Sequence, residues 1–380
     1  MSEKVRKGDT RRTRGNRTGF TTGACSAAAA RAATCGLLGG EVPASVVCRL
    51  PNGRELIFAV IDGRVDGEGS DRVAHAAVVK DAGDDPDATH GAHLTADVRR
   101  LPQRAGEISL CGGPGVGVVT REGLGLAVGG PAINPVPQQN IRDNVRAVAA
   151  EILAVDGIEV RISVPGGEQM AKKTLNARLG ILDGISILGT TGIVRPYSTA
   201  AFRASVVQAI DVAAAQGQSS VVLTTGGRSE KFAMRQLPAL DEACFVQMGD
   251  FVKAAFVTAG KRRMREVYVG AMVGKLTKMS QGLAVTHAWR AEVNREILAD
   301  AARAVAAPAD LIADIRAAET ARFAAEKLAV LGLTVPFHRE LASRAIRSLK
   351  RQYPGDYRLS ILVCDFEGRL ICRVDEHEAL

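Results

Sequence analysis

The segment from residue 19 to residue 36 places the strongest constraint on the fold, because a hydroxyl pair there leads into a long run of very small side chains. Thr21 and Thr22 precede a series of alanine, serine and cysteine residues, and a glycine follows at position 36. This pattern predicts a helix over about residues 23–35, with Thr21 or Thr22 as its N-cap. Since its side chains are small, another backbone or a flat ligand can approach the helix closely.

The start of this predicted helix is also a candidate site for an anion. The N–H groups of a first helical turn lack intrahelical partners, and the helix dipole is positive at that end. Two interpretations stay open here: tight packing of a small-residue helix, or a site for a carboxylate or phosphate of the substrate. The anion site would use these residues: Arg17, Thr21, Thr22 and Gly23.

Length and composition indicate a soluble protein of two domains. The chain has 380 residues, more than one ordinary hydrophobic core holds. Hydrophobic residues make up 46% and charged residues 24%, and no apolar run reaches the roughly eighteen residues of a membrane span. The N-terminus is basic and lacks a hydrophobic signal core. We therefore expect a cytoplasmic protein without a membrane partner.

Cysteine and histidine positions do not favour a metal site. The seven cysteines are scattered without a C-x-x-C pair, which is typical of reduced thiols and argues against structural zinc. His90 and His93 alone approach a ligand spacing, and two histidines in a loop are more often solvated than metal-bound. We expect no metal held by the protein.

The formal net charge of +8 at pH 7 permits a polyanionic partner. Basic residues crowd the first fourteen positions, which predicts a disordered basic tail over residues 1–16. Aromatic residues make up only 4% of the chain, so the stacking platforms of single-strand nucleic-acid binders are poorly supplied. The composition therefore favours a small acidic substrate over nucleic acid.

Residues 17–140 predict an N-terminal α+β domain. Alternating apolar residues flank the turn Pro51-Asn52-Gly53-Arg54, which is typical of a β-hairpin. Several antiparallel strands and one main helix indicate the α+β class. A helix is predicted over residues 139–155, and we place the domain boundary near its start. The other predicted strands of this domain cover residues 74–79, 94–99 and 107–110.

An acidic loop at residues 80–91 has three interpretations. Its aspartates can accept backbone hydrogen bonds in a turn. They can bind a cation, although the closing Glu of a calcium loop is absent. They can also accept or shuttle protons in a cleft. Composition alone does not decide among them for Asp81, Asp84, Asp85 and Asp87.

Glycine loops follow several predicted strands. The loop at residues 112–117 runs into the strand pattern Val118-Val119-Thr120, so it fails the structural context of a dinucleotide-binding turn. In residues 141–380, apolar runs alternate with helical patterns, and this alternation predicts a mostly parallel α/β domain. Ligands bind beyond the carboxyl ends of such strands. Five glycine loops are expected at one edge of this sheet, at residues 165–168, 189–192, 224–228, 248–250 and 270–275.

Two further patterns in this half bear on function. Residues 270–275 resemble a phosphate-binding P-loop, but the glycine spacing is short and Leu276 replaces the Ser or Thr that would hold Mg²⁺. A helix predicted over residues 198–216 carries Phe202, Val206, Val207 and Ile210 at helical spacing, and we assign these side chains to the core.

Taken together, these motifs resemble the cobalt-precorrin-5B (C1)-methyltransferase family of anaerobic cobalamin synthesis. The resemblance runs in order along nearly the whole chain from Arg17 onward. Its residues are the 19–23 and 80–87 segments, the 112–117 loop, Asn134-Pro135, the 165–168 and 189–194 loops, Thr225-Gly226-Gly227 and Thr286-His287.

The resemblance implies that S-adenosylmethionine donates a methyl group to ring carbon C1 of a cobalt-bound tetrapyrrole. It implies that the cobalt belongs to the substrate. Donor-binding residues implied by the loops are Gly166, Gly167, Glu168, Gly189, Thr190, Thr191, Gly192, Thr225, Gly226, Gly227 and Asp250. Glu168 or Asp250 is expected at the ribose hydroxyls.

The carboxylate-rich acceptor is expected at Arg17, Thr21, Thr22, Gly23 and Asp85. If a proton leaves the macrocycle, Asp81, Asp84 or His287 would receive it. A homodimer and transient contacts with neighbouring pathway enzymes are further expectations.

Two alternatives from other functional classes stay open. One is a nucleotide-phosphate-dependent enzyme that uses the glycine loops with ATP and Mg²⁺. The other is a basic nucleic-acid-binding module, which would show steeply salt-dependent binding.

Overall fold

A computed structural model describes residues 15–286 and 292–379. These residues form two compact units. Unit 1 holds the described residues up to Thr120 together with Leu126–Ser198, and unit 2 holds Arg121–Gly125 together with the described residues from Thr199 onward. Most of the predicted tail over residues 1–16, and His287, lie outside the described residues. Within the described ranges, no helix is long and apolar enough to cross a membrane.

Unit 1 is an α+β unit, as predicted. Its main sheet has the order β4-β5-β6-β10-β7, with antiparallel neighbours except for the parallel pair β10 and β7. Its elements are β1 (Gly19–Phe20), α1 (Thr22–Gly39), β2 (Ser45–Arg49), β3 (Glu55–Ala59), β4 (Ile61–Asp66), β5 (Val73–Val79), β6 (His93–Leu101), β7 (Ile108–Gly112), β8 (Gly115–Val116), β9 (Val118–Val119), α2 (Pro135–Arg146), α3 (Ala150–Leu153), β10 (Gly157–Ser163), α4 (Gly167–Ala171), β11 (Ile181–Leu182), β12 (Gly184–Ile185) and β13 (Ile193–Val194).

Helix α1 is the centre of the unit 1 core. Its alanines are fully buried against apolar residues of β5, β6, β10 and α2. The helix continues past the predicted end at Gly36, because this glycine lies inside the helix and packs against Val42. The end is instead Gly40, whose φ of 81° is the left-handed conformation typical of a C-cap glycine.

The helix predicted over residues 139–155 is two helices, α2 and α3. Helix α2 begins at Pro135, and a proline fits the first turn of a helix because the N–H it lacks has no intrahelical acceptor there. Strand β10, which the sequence pattern assigned to the second domain, pairs with β6 and β7 of unit 1. The compact units therefore divide at Ser198 instead of near residue 140.

Unit 2 is an α/β unit. Its sheet has the order β15-β14-β16-β17-β18, in which β18 alone is antiparallel to its neighbour. Its elements are α5 (Thr199–Ala215), β14 (Ser220–Thr224), α6 (Gly227–Gln236), β15 (Phe245–Gln247), α7 (Val252–Lys261), β16 (Glu266–Ala271), α8 (Val273–Ser280), α9 (Arg295–Ala304), α10 (Ala309–Ala317), α11 (Ala321–Val330), α12 (Thr334–Gln352), β17 (Arg358–Cys364), β18 (Leu370–Asp375) and α13 (Glu376–Ala379).

Helices cover both faces of this sheet. On one face, Phe232 of α6 packs in a small core with Val222 and Leu362. On the other face, helices α5, α7, α8 and α12 share a large core with Val221 and Val269. The alternation of strands and helices therefore produces the doubly wound arrangement that the sequence pattern indicated.

The prediction of five glycine loops at one sheet edge is wrong in part. The loops after β14, β15 and β16 follow parallel neighbours of unit 2 and lie at one carboxyl edge. The loops at residues 165–168 and 189–192 belong to unit 1. An apolar run that ends in glycine identifies a buried strand, but it does not identify the partner of that strand.

Candidate functional site

The start of α1 is a junction satisfied by the chain itself. The Thr21 hydroxyl accepts a hydrogen bond from the Ala24 N–H (3.1 Å), which confirms Thr21 as the N-cap. The N–H groups of Thr21 and Gly23 donate to the carbonyls of Gly192 and Leu188, each at 3.0 Å. These donors are buried and already paired, which argues against the anion site predicted at this helix start.

The loop at residues 189–192 closes over the same junction. The Thr22 hydroxyl accepts a hydrogen bond from the Leu188 N–H (2.8 Å) and is itself buried. A Cβ atom at Gly189 would lie 2.5 Å from the side chain of Thr21, so only glycine fits. Leu50 crowds Gly192 in the same way, at 3.1 Å. The glycines of this loop have a packing role in unit 1.

Arg17 and Asp81 form the main charge pair of the acidic loop. The guanidinium of Arg17 donates to both carboxylate oxygens of Asp81, and the Gly83 N–H donates to the same group at 2.9 Å. The hydrogen bond from Arg17 is the largest cause that lowers the pKa of Asp81 to about 2. A carboxylate with so low a pKa is a poor proton acceptor at neutral pH, which argues against the catalytic role predicted for Asp81.

The other aspartates of this loop also brace backbone. Asp84 accepts a hydrogen bond from the Arg17 N–H (2.7 Å), and Asp85 accepts one from the Tyr197 N–H (2.9 Å). Asp87 accepts from the ammonium of Lys80 at 2.6 Å, and Lys80 is only 1% exposed. Burial alone would raise the pKa of Asp87, but hydrogen bonds from Lys80 and a threonine lower it overall. The bonds fit the interpretation of the acidic loop as a braced turn.

The loop at residues 165–168 is shaped by contact between backbones. A Cβ atom at Gly167 would lie 2.9 Å from the Cα atom of Gly115, so the two chain segments touch through glycines. Gly166 has a φ of 76°, and Glu168 is exposed in the first turn of the short helix α4. Gly166, Gly167 and Glu168 belong to unit 1, whereas Thr225, Gly226, Gly227 and Asp250 belong to unit 2.

The carboxyl edge of the unit 2 sheet is the candidate site. In the sheet, strand β14 lies between β15 and β16. The order of the strands along the chain therefore reverses between β14 and β16. Doubly wound sheets bind ligands at this switch point, outside the carboxyl ends of the strands. Thr225-Gly226-Gly227 follows β14 at this point and leads into α6.

The glycine loop leaves open space at the switch point. A Cβ atom at Gly226 would meet no described atom within 4 Å, and one at Gly227 would meet only the Gln247 amide at 4.0 Å. The N–H groups of the first turn of α6 have no intrahelical partners. The Gly249 N–H donates to the Thr224 carbonyl (3.2 Å), which holds the loop after β15 beside the loop after β14.

Asp250 and Lys275 form an ion pair at this edge. Each side chain is about a quarter exposed, at 22% and 28%. The Thr286 hydroxyl donates to the Asp250 carboxylate (3.1 Å), and the Thr286 N–H donates to the Asp250 carbonyl (3.1 Å). The predicted residue Asp250 is therefore held firmly next to the glycine loop.

Further polar groups are buried beside the site and were missed by the sequence pattern. The Gln247 amide donates to the Glu230 carboxylate (2.7 Å), and Glu230 is only 5% exposed. The Lys278 ammonium donates to the Thr286 carbonyl (3.2 Å), and burial together with Lys275 lowers the pKa of Lys278. The spacing of acids and amides along the chain gives no signal for such contacts, because their partners lie on different elements.

Phe202 was assigned to the core from its helical spacing, and this prediction is wrong. Its side chain is 43% exposed, whereas Val206 and Ile210 on the same helix are buried as expected.

In the described ranges, no group of three or more His, Cys, Asp or Glu side chains could hold a metal ion.

The fold and the sheet edge define the class of the molecule: a two-unit protein whose α/β unit has a glycine-lined candidate site at the carboxyl edge of its sheet. Comparison with known proteins identifies the family to which this chain belongs. The CbiD family matches residues 9–196, and CbiD, C-terminal domain, matches residues 285–375. The chain belongs to the CbiD family, the family of cobalt-precorrin-5B C(1)-methyltransferases.

Similar proteins span nearly the full length of the chain. A cobalt-precorrin-5B C(1)-methyltransferase from Dechloromonas aromatica is 77% identical over 100% of this chain and 96% of the relative. Relatives of the same name from Polaromonas sp. and Methylococcus capsulatus are 60% and 58% identical, over 94% and 96% of this chain and 97% and 95% of the relatives. The resemblance drawn from the sequence motifs is confirmed.

A solved structure is also similar in sequence. The 1.9 Å crystal structure of cobalamin biosynthesis protein (cbiD) from Archaeoglobus fulgidus is 29% identical, with a TM-score of 0.38. The alignment covers 70% of this chain and 80% of that chain.

Proposed function

We propose that this chain transfers a methyl group from S-adenosylmethionine to C1 of cobalt-precorrin-5B, giving cobalt-precorrin-6A in anaerobic cobalamin synthesis. The observation that carries this proposal is the full-length identity of 77% with a relative named for that activity. The net charge of +8 suits an acceptor rich in carboxylates.

The methyl donor lies at the carboxyl edge of the unit 2 sheet. Open space above Gly226 and Gly227 supports this placement, because a ligand can contact the backbone there without displacing a side chain. Asp250 is the candidate partner for the ribose hydroxyls, since a carboxylate can accept from both. The positive end of α6 is suited to the carboxylate of the donor's amino-acid tail.

The protein contributes mainly alignment to this reaction. Transfer from a sulfonium to a ring carbon is an in-line displacement, and the donor supplies its own leaving group. The site must therefore hold the methyl group against the acceptor carbon and exclude water. The braced Asp250 and the glycine backbone are suited to that work because they have fixed positions.

Asp84 and His287 remain candidates for accepting a proton from the macrocycle. Asp84 is hydrogen-bonded to the Arg17 N–H in unit 1, and the role of His287 is inferred from the sequence alone. Replacement of Asp84 by Asn and of His287 by Ala tests both roles. A loss of turnover with unchanged binding of both substrates is expected, and full turnover would contradict the assignment.

The activity is tested by incubating the purified protein anaerobically with S-adenosylmethionine and cobalt-precorrin-5B. The expected product carries one additional methyl group, located at C1 by nuclear magnetic resonance with a labelled donor. An absence of label in the tetrapyrrole, or a label at another carbon, would contradict the proposal. A parallel titration with ATP and Mg²⁺ tests the nucleotide-phosphate alternative.

A further inference from the structure

The N-terminal part of α5 is exposed to an unusual degree for a helix beside a sheet. All residues from Thr199 to Ser205 are exposed, whereas burial of the helix begins at Val206. Phe202 lies within this exposed stretch. Packing of the core does not explain a large aromatic side chain at this exposed position, so we looked for a functional role.

The Phe202 ring is nevertheless fixed in place. It stacks on Phe251, with ring centroids 5.5 Å apart and ring planes inclined by 29°. A Cβ atom at Gly249 would lie 3.0 Å from the edge of the Phe202 ring, and Gly249 has a φ of 55°. This glycine therefore allows the ring to lie directly against the loop that carries Asp250. Phe202 and Phe251 together form a pair that we call the aromatic platform.

The platform lies beside the proposed donor site. Gly249, which touches the Phe202 ring, donates its N–H to the carbonyl of Thr224, immediately before the glycine loop. Methyl transfer requires the acceptor carbon to approach the donor closely. The acceptor must therefore bind next to the glycine loop, and the platform is an apolar planar surface in that position.

Positive charge accompanies the platform in sequence. Arg203 follows Phe202 on α5, and Lys253 lies in the first turn of α7, two residues after Phe251. Both are exposed, and neither forms an ion pair among the described residues. Asp250, the acid next to Phe251, is already paired with Lys275. The residues next to the platform in sequence thus include two exposed cations that are available to a ligand.

We propose that the aromatic platform binds one face of the tetrapyrrole macrocycle, with Arg203 and Lys253 at its carboxylates. This proposal rests on the proposed function. A flat apolar ring system with peripheral carboxylates matches an aromatic pair whose neighbours in sequence include two cations without an ion pair among the described residues. The adenine of the donor is planar as well, but it is uncharged and has no use for these cations.

The test is steady-state methyl transfer with Phe202→Ala, measured against each substrate in turn. We expect the KM for the tetrapyrrole to rise about tenfold, which corresponds to about 1.4 kcal/mol, because the macrocycle loses its stacking on an aromatic side chain. The KM for S-adenosylmethionine is expected to stay within about twofold of wild type. Phe202→Tyr keeps the ring and should restore tetrapyrrole binding. Arg203→Gln should raise the tetrapyrrole KM about threefold and weaken its dependence on salt.

A matched control separates this effect from a general loss of apolar surface. Val330→Ala removes an apolar side chain that is 83% exposed on α11 of the same unit, and it should leave both KM values unchanged. Circular dichroism and the urea midpoint of each variant verify that the fold is retained.

The outcomes distinguish this proposal from the proposed function. An active wild type with an unchanged tetrapyrrole KM in Phe202→Ala would overturn the platform alone. A raised KM for S-adenosylmethionine with normal tetrapyrrole binding would also overturn it, because the platform would then hold the adenine. A wild type without methyl transfer would overturn the proposed function, and this proposal with it.

Discussion

A Thr-Thr-Gly tripeptide lies at a helix start in each unit, and these two helix starts have different surroundings. In unit 1, residues 21–23 are buried, and their N–H and hydroxyl groups bind carbonyls and N–H groups of the 188–192 segment. In unit 2, residues 224–226 lead into α6, and a Cβ atom at Gly226 would meet open space. The same motif is a structural junction in one unit and leaves open space in the other, where we propose the ligand site.

A helix start is available to a ligand only where no other segment of the chain occupies it. The unpaired N–H groups of a first turn are satisfied by whatever lies closest. At α1 that neighbour is the chain itself. At α6 the glycines leave room, and we place the methyl donor there. Substitutions at the two helix starts should therefore have opposite consequences.

The largest effect is expected from Gly227→Val. This change fills the open space above the glycine loop, so affinity for S-adenosylmethionine should fall at least about 100-fold, which corresponds to about 2.7 kcal/mol. The free energy of unfolding should change little, because the nearest described atom to the new Cβ is 4.0 Å away. Calorimetric titration measures the affinity. Gly260→Val is the matched control, since it also points into open space but lies at the far end of α7.

Gly23→Ala is expected to lower the free energy of unfolding by an amount comparable to that loss of binding free energy. The new Cβ would lie 2.8 Å from the Pro137 side chain and 3.2 Å from the Leu188 carbonyl. Overpacking of this kind destabilises by about 1–3 kcal/mol. Urea unfolding measures the loss, and donor affinity of the folded variant should be normal. Gly39→Ala, at an open position of the same helix, should not destabilise. Weaker donor binding in Gly23→Ala would break the comparison.

A smaller loss is expected from Thr21→Ala. The variant lacks the hydroxyl that accepts from the Ala24 N–H, and removal of an N-cap costs about 1 kcal/mol. Thr21→Ser keeps the acceptor and serves as the control. Equal urea midpoints for the wild type and Thr21→Ala would show that the N-cap does not stabilise α1.

The smallest effect concerns acid stability through Asp81. Its pKa in the folded chain, about 2, is below the ordinary value of 3.8. Its contribution to stability is therefore present above about pH 4 and is lost as the pH falls towards 2. The carboxyl is 45% exposed, so solvent screening keeps the effect small. Asp81→Asn should unfold with a shallower pH dependence in this range than the wild type, and an identical dependence would contradict the pairing with Arg17.

Local sequence patterns predicted the positions of helices and strands better than they predicted which strands pair with one another. The turn Pro51-Asn52-Gly53 predicts the hairpin of β2 and β3 because both strands and the turn are adjacent in sequence, and the hairpin is confirmed. Strand β10 pairs with β6, which lies far away along the chain. An apolar run carries no label for such a partner, so the boundary between the units was placed too early.

The glycines of the candidate site were predictable from the sequence, because their role depends on the backbone. The side chains whose burial depends on tertiary packing were not predictable. Gly226 and Gly227 stand out because glycine permits a close approach of a ligand. Phe202 did not, because helical spacing groups it with Val206, while its exposure depends on where the underlying core ends. Glu230 is buried against Gln247 of a different strand, and that contact has no counterpart in sequence spacing.

The central claim is that the methyl donor binds at the carboxyl edge of the unit 2 sheet. Hydrogen–deuterium exchange of the full chain, with and without saturating S-adenosylmethionine, tests it most directly. With the donor at this edge, we expect slower exchange at residues 224–230 and 247–252, and unchanged exchange at residues 165–168 and 189–192. Protection confined to the two unit 1 loops would contradict it.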